Sequence, residues 1–409
     1  MSRRAGCARR RSLARLRILY VGPHPPSPIA VRPWLFLRAL QERHRIDVVT
    51  LTDGTPVNGL GGLPRAYRPG VMDRLAALRH LRNRAVPLQS MAVESLAMRR
   101  AVRMAIRDGG YDVIHVEHVR ALQMVPASNR SRVLFDAVDC VSDLFEQATP
   151  YQSAPRRLLF RHEARRLARF EADALSAVGR VLVASRRDAG GLSRLGPHAP
   201  LSVLPNPVDL VRFRPGLERA SDTVVFTGKM SFHANRVAAH WLCDEIWPLV
   251  KARHPEAHLL IAGARPPASL RRRRRPDVEV TGYVPDLGRL IAAAGVSVAP
   301  LRYAVGIQNK VLEAMACAVP VVTTTAAVGD LGFEEGGHGF VANDARAFAE
   351  RICWLLDDRR LAGEMGRAGR DYVERHHAVG PLADQLDRHY HDLCGVPATE
   401  SERREVEAI

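Results

Sequence analysis

An α/β protein of two domains, each built on a parallel sheet and facing the other across a cleft, is what this sequence predicts. Three observations carry that reading. Short apolar runs rich in β-branched residues alternate with helical stretches of about 10–15 residues, the pattern of right-handed β-α-β crossovers. The alternation runs twice, broken near the midpoint by LSVLPNPVDLVRFRP, a segment loaded with Pro and Asn and lacking helical period. The length, 409 residues, suits two domains of ordinary size.

Taken in order, RILYVG is the first strand, WLFLRALQERH an apolar-periodic helix and IDVVTL the second strand. YDVIHVEH, RVLFDAVD and RVLVAS supply further strands, with the arginine-faced helix ARRLARFEADALSAV before the last of them. In the second half TVVFTGK, AHLLIAGA, VEVTGYV, VSVAPLR and VPVVTTT are strands. RVAAHWLCDEIWPLVKARH reads as one amphipathic helix, and DLGRLIAAA, KVLEAMACA and AFAERICWLL as others. Two Rossmann-like halves follow: an N-terminal domain over 15–205, a linker over 206–217 and a C-terminal domain over 218–377. A last helix over 378–395 is expected to pack back toward the N-terminal domain, with a basic disordered tail at 1–14 and a mobile one at 396–409. In such sheets ligands bind beyond the carboxyl ends of the strands.

Composition narrows the class. With 46% hydrophobic and 25% charged residues the chain is neither collagen-like nor disordered. No run of 18 apolar residues occurs, which removes a spanning helix. The formal charge of +17 comes from 57 arginines against three lysines, Lys229, Lys251 and Lys310. Arginines spread along the whole chain fit a coding bias better than a built nucleic-acid surface, although the charge still favours an anionic partner or membrane surface. The RRRRR run at 271–275 lies in a loop between strands without interleaved aromatics and reads as solvated, so no nucleic acid is expected. Six scattered cysteines with no C-x-x-C pair support neither a disulfide framework nor a zinc site. The apolar run at 18–21 is too short for a signal peptide, so a cytoplasmic protein is expected. The arginines at positions 3, 4, 9, 10 and 11 either touch anionic headgroups on the inner membrane face or stay solvated.

The familiar signatures fail: there is no P-loop, no G-x-G-x-x-G after a strand, no D-x-D, no H-E-x-x-H and no G-x-S-x-G. The informative stretch is YAVGIQNKVLEAMACAVPVV at 303–322. Gly306 precedes a helix opening near Gln308, whose free amides make an anion site, with Ile307 between them. Lys310 adds a cation and Glu313, three residues on, a carboxylate suited to two ribose hydroxyls. Either a sugar diphosphate lies along that helix, or Lys310 and Glu313 are a surface i,i+3 pair. The histidines near 376 and 389–391 are read as lacking carboxylates at ligand spacing, and no metal site is expected.

This segment resembles the donor-site helix of retaining glycosyltransferases of family 4, which have the GT-B fold. VLPNPVDLVRFRP, HPEAHLLIAGA, VTGYVPDLGRLIAAAGVSVAPLR and GHGFVANDARAFAERI resemble further blocks of that family in the right order, over roughly residues 15–375. VFTGKMSFHAN and GIQNKVLEAMA are most similar to sugar transferases associated with bacterial exopolysaccharide and exosortase (PEP-CTERM) systems. The resemblance implies a retaining, metal-independent transfer from a nucleotide diphosphate sugar to a hydroxyl of a glycan or polyprenyl-linked acceptor. It implies that Gly228 and Lys229 meet the donor diphosphate, that Gly282, Tyr283 and Val284 contact the base, and that Glu313 binds ribose. Ala234 stands where a second cation is usual, and Val305 where a first glutamate is usual, which leaves the donor-sugar contact open. Near the acceptor it points to Glu117 or His118, and strand alternation puts His115 and Glu117 on one face with His118 on the other. Arg32 either binds an acidic acceptor or is an exposed loop arginine. Two other readings compete. A non-catalytic GT-B protein is favoured by the missing groups, and a sugar-nucleotide epimerase would need the few N-domain carboxylates Glu117, Asp136 and Asp139.

Overall fold

The structure, a computed structural model, describes residues 15–52, 65–70, 73, 86–91, 93–216 and 220–395. The tails expected at 1–14 and 396–409 lie outside them.

The first sheet holds β1 (Arg17–Gly22), β2 (Arg45–Leu51), β3 (Arg65–Tyr67), β4 (Val113–Glu117), β5 (Val133–Val138), β6 (Arg180–Val183) and β7 (Leu201–Val203), in the order β3-β2-β1-β4-β5-β6-β7. The second holds β8 (Ala220–Thr227), β9 (His258–Ala262), β10 (Val278–Gly282), β11 (Ala294–Ala299), β12 (Val321–Thr323) and β13 (Gly339–Val341), in the order β10-β9-β8-β11-β12-β13. All pairings are parallel. Both sheets therefore run 3-2-1-4-5-6, the first with a seventh strand added at its end, and each reverses direction beside its own first strand, between β1 and β4 and between β8 and β11. Those two switch points are where a doubly wound sheet opens a crevice. β3, β7 and β13 are three residues long, too short to show any period, and the sequence reading missed them.

Helices cover both faces of each sheet, which is why the central strands are apolar throughout rather than alternating. Ile18, Leu19, Tyr20 and Val21 of β1 are all fully buried. The expected single helix from Arg236 is instead His233–Trp241, a π turn at Leu242–Ile246 and Trp247–Arg253. Pro248 explains the interruption, because it has no N–H for the carbonyl one turn back. The arginine-faced helix runs Ala154–Ala177, ten residues longer at its start than its apolar period showed.

Two strands of chain cross between the domains side by side. Val208, after β7, pairs with Ala378, and its amide donates to the His377 carbonyl at 2.9 Å. The helix Val379–Leu393 then returns to the N-terminal domain, burying Leu382, Leu386 and Tyr390 in the same cluster as Ile18, Tyr20 and Phe36. Among the described residues no helix is long and apolar enough to cross a membrane.

Candidate functional site

The carboxyl ends of β1, β4 and β5 face the loop that follows β11, and between them lies a cavity of about 300 Å³. Its walls include Glu117, His118 and Asp139 from the N-terminal domain and Val305, Ile307 and Gln308 from the C-terminal one. A larger groove of about 1030 Å³ lies at the amino ends of β1 and β2, beside Arg17, Arg45 and Arg65. Parallel sheets present their ligand sites at the opposite edge, so the smaller interdomain cavity is the candidate.

The local backbone explains how these side chains get there. β4 ends at Glu117, and His118 sits at φ 65°. The strand alternation expected of His118 therefore stops one residue early, and both Glu117 and His118 reach the cavity. His115 goes elsewhere, buried against the Tyr390 hydroxyl at 2.6 Å. One strand over, Val138 has φ 66° and the Asp139 amide donates back to the Ala137 carbonyl at 2.8 Å. A left-handed conformation at a β-branched residue costs about 1–3 kcal/mol and persists only where packing enforces it. A left-handed valine and a left-handed histidine at adjacent strand ends, both opening on one cavity, single out that edge as the candidate site.

Charge is arranged to match. Glu117 accepts a short hydrogen bond from the buried Tyr20 hydroxyl, and burial pushes its carboxyl up to about 7 against that bond's opposing pull. Burial drives the His118 imidazole well below its ordinary value, helped by Arg120 and His24. It is therefore neutral at physiological pH. Arg32, expected to meet an acceptor, borders the cavity but commits its guanidinium inside the protein. Nε and Nη2 bond Asp136 at 2.8 and 3.1 Å, and Nη1 bonds the Leu204 carbonyl at 2.8 Å and Asn206 Oδ1 at 2.9 Å. It clamps the interdomain crossing and is not an exposed loop arginine, being only 5% accessible.

The residues expected to meet a donor gather at the carboxyl edge of the second sheet. The helix Asn309–Ala316 has Gln308 at its N-cap and Gly306, at φ 65°, just before it. Lys310 Nζ donates to Asn235 Oδ1 at 3.1 Å, and Asn235 Nδ2 donates to the Lys229 carbonyl at 3.1 Å. Asn235, which the sequence reading passed over, thus ties the β8 end to the helix. A Cβ at Gly228 would stand 2.7 Å from the Asn235 amide, so the glycine admits that contact. Lys310 is lowered to about 8 by burial, and Glu313 raised to about 7 by burial against the opposing charges of Lys310 and Arg212. Lys229 is exposed at the end of β8, Tyr283 is exposed beyond β10, and Gly282 and Val284 are half-buried beside it. None of these four, nor Lys310 or Glu313, lines the cavity wall itself.

One cluster fits a metal by composition. His44, Asp387 and His391 place ligand atoms within 4.8 Å of one another, so Asp387, four residues before His391, is a carboxylate at the spacing the sequence reading called empty. The hydrogen bonds argue against an ion there. His44 Nδ1 accepts the Leu16 amide at 3.2 Å, which leaves the proton on Nε2, shared with Asp387 at 2.8 Å. A ligating histidine would instead donate from its other nitrogen.

Residues 221–358 match the family described as Glycosyl transferases group 1. No curated protein matches the chain significantly. Among solved structures it is similar to sucrose-phosphate synthase from Thermosynechococcus elongatus, with a TM-score of 0.70 and 19% identity over 94% of this chain and 100% of that one. It is also similar to Anabaena HepE in complex with UDP-glucose, with a TM-score of 0.66 and 14% identity over 92% and 100%. A glycosyltransferase from Rickettsia africae aligns with a TM-score of 0.62 and 12% identity over 93% and 99%. The fold is GT-B. With the family match on its C-terminal domain, the chain is a glycosyltransferase.

Proposed function

We propose that the chain moves a sugar from a nucleoside diphosphate sugar to a hydroxyl of a lipid-linked or growing glycan, with retention and without a metal, in bacterial exopolysaccharide synthesis. The observation that carries the donor half is the helix Asn309–Ala316, with Lys310 in its first turn and Glu313 one turn on, both at the carboxyl edge of the second sheet. Glu313 accepts ribose hydroxyls. Lys310, Lys229 and the amides at the helix start stabilise the diphosphate as it leaves, a charge-assisted interaction that grows in the transition state. HepE and the pneumococcal O-GlcNAc transferase GtfA were solved with UDP, which supports a nucleotide donor here. Incubation with labelled UDP-, GDP- and ADP-sugars and a membrane lipid extract should release nucleotide from one donor, unaffected by chelator. Glu313→Ala and Lys310→Ala should each lower that rate by about 100-fold. Donor binding without turnover would leave a non-catalytic binder, and interconversion of the sugar without acceptor would mean an epimerase.

A lipid-linked acceptor calls for a membrane-facing surface. At the start of the helix Ala154–Ala177, Leu158 and Leu159 are 67% and 49% accessible, amid the exposed Arg156, Arg157, Arg161 and Arg165. Apolar tips ringed by arginine suit an anionic bilayer, at about 1 kcal/mol per basic residue near the surface. The protein should sediment with phosphatidylglycerol vesicles, less so in high salt. Leu158→Asp with Leu159→Asp should abolish it, and a double variant that still sediments like wild type would remove this surface.

A further inference from the structure

Four carboxyl groups approach the interdomain cavity, and three already have partners. Glu117 holds the Tyr20 hydroxyl, and Asp136 holds Arg32. Asp188 accepts from the Cys140 amide at 2.9 Å, from the Ser185 hydroxyl, and across the cleft from the Gly306 amide at 2.9 Å. The fourth is Asp139. Among the described residues no donor reaches its carboxyl oxygens. It is half-buried, with a surface on the cavity.

Its position is held from both domains. The strained turn at Val138 aims it across the cleft. On the far side its Oδ1 fills the space a side chain at 306 would need, since a Cβ there would stand 1.9 Å from it. Burial and the neighbouring Asp188 raise its carboxyl, so it carries a proton where an ordinary aspartate would not. A protonated carboxyl can donate and accept at once, which suits a pair of sugar hydroxyls.

We infer that Asp139 binds the transferred sugar of the donor, its carboxyl hydrogen-bonding hydroxyls of the ring. The inference rests on the donor-site reading above. Along the helix axis Glu313 comes last, Lys310 before it and Gly306 ahead of the N-cap. With ribose on Glu313 and the diphosphate at Lys310, the next group of the donor arrives at Gly306, which touches two carboxyls: Asp188, already bonded to its amide, and Asp139, whose oxygens are not engaged. Once a ligand fills the crevice, a polar group left unpaired there discriminates strongly between ligands that satisfy it and ligands that do not. Asp139 therefore adds affinity for the nucleotide sugar over the bare nucleotide.

Calorimetric titration of the full chain with UDP and UDP-glucose, GDP and GDP-mannose, and ADP and ADP-glucose separates the two claims. The wild type should bind one nucleotide and bind its sugar more tightly. Asp139→Ala should leave the nucleotide affinity unchanged and erase about tenfold of the gain from the sugar. Asp139→Asn, which still donates and accepts, should keep most of it. Because the carboxyl has no protein partner, neither variant should lower the melting temperature. If Asp139→Ala keeps the full sugar gain, or weakens nucleotide and sugar equally, the role of Asp139 is refuted while the donor site stands. If the wild type binds no nucleotide, the donor-site reading fails and takes this inference with it.

Discussion

Arg32→Met should lower the stability of the N-terminal domain by about 3–5 kcal/mol, the usual cost of stripping one partner from a buried ion pair. For a domain of this size that corresponds to roughly 10 °C in melting temperature. Asp136, 2% accessible, would keep only the Val138 amide at 3.3 Å and the His115 ring at 3.9 Å. A second effect should accompany the first. The same guanidinium bonds the Leu204 and Pro205 carbonyls and the Asn206 side chain, and Asn206 in turn donates to Asn309 Oδ1 at 2.9 Å. The clamp therefore runs from the first sheet through the crossing to the first residue of the helix Asn309–Ala316. Arg32→Met with Asp136→Leu removes both charges and should recover much of the melting temperature, since apolar replacement of a buried pair is often neutral. It should not recover transfer activity, because the linker bonds stay broken. Differential scanning calorimetry and the nucleotide-release assay, run on both variants, read the two effects separately. A single variant that melts within about 2 °C of wild type would show the pair to be dispensable.

That clamp also shows where sequence reasoning stops. The architecture was legible because it depends on local periods: both domains, their parallel sheets and the chain segment between them follow from apolar runs and intervening helices. That Lys310 and Glu313 share one helix was legible for the same reason, since they lie three residues apart in an apolar-periodic stretch. Arg32 was not, because its partners are 104 and more than 170 residues away, and nothing local says that an arginine in the first turn of the helix Val31–Leu40 turns inward. The face of His118 was misjudged because alternation assumes the strand continues, whereas the backbone leaves it at φ 65°. Asp139 and Asn235 acquire their importance only when β5 and β8 are brought to a shared crevice. Their sequence neighbourhoods carry no period or motif that announces it.

Gly306→Ala should cut kcat/KM by about 100-fold while barely moving the melting temperature, the expected cost of shifting reacting groups by about 1 Å. Two independent features forbid a side chain there. The residue sits at φ 65°, where alanine is disfavoured by about 1–2 kcal/mol. The added Cβ would also lie 1.9 Å from Asp139 Oδ1 and 2.8 Å from its Cγ. In a single packed core such a clash would destabilise the fold, but here the colliding atoms belong to opposite domains, and the clash is relieved by turning the unbonded Asp139 carboxyl aside and by opening the cleft. Opening breaks the Gly306 amide's bond to Asp188 and moves Gln308 and Lys310 away from Glu117 and His118, so catalysis suffers and folding does not. Nucleotide affinity should change little, because Lys310 and Glu313 lie on the same rigid helix of the second domain and move together. Small-angle scattering should record a larger radius of gyration for the variant than for wild type. Near-wild-type kcat/KM in Gly306→Ala would mean that the two domains do not need to meet at this loop for transfer. A collapse in melting temperature would mean that this contact holds the protein together, beyond closing its cleft.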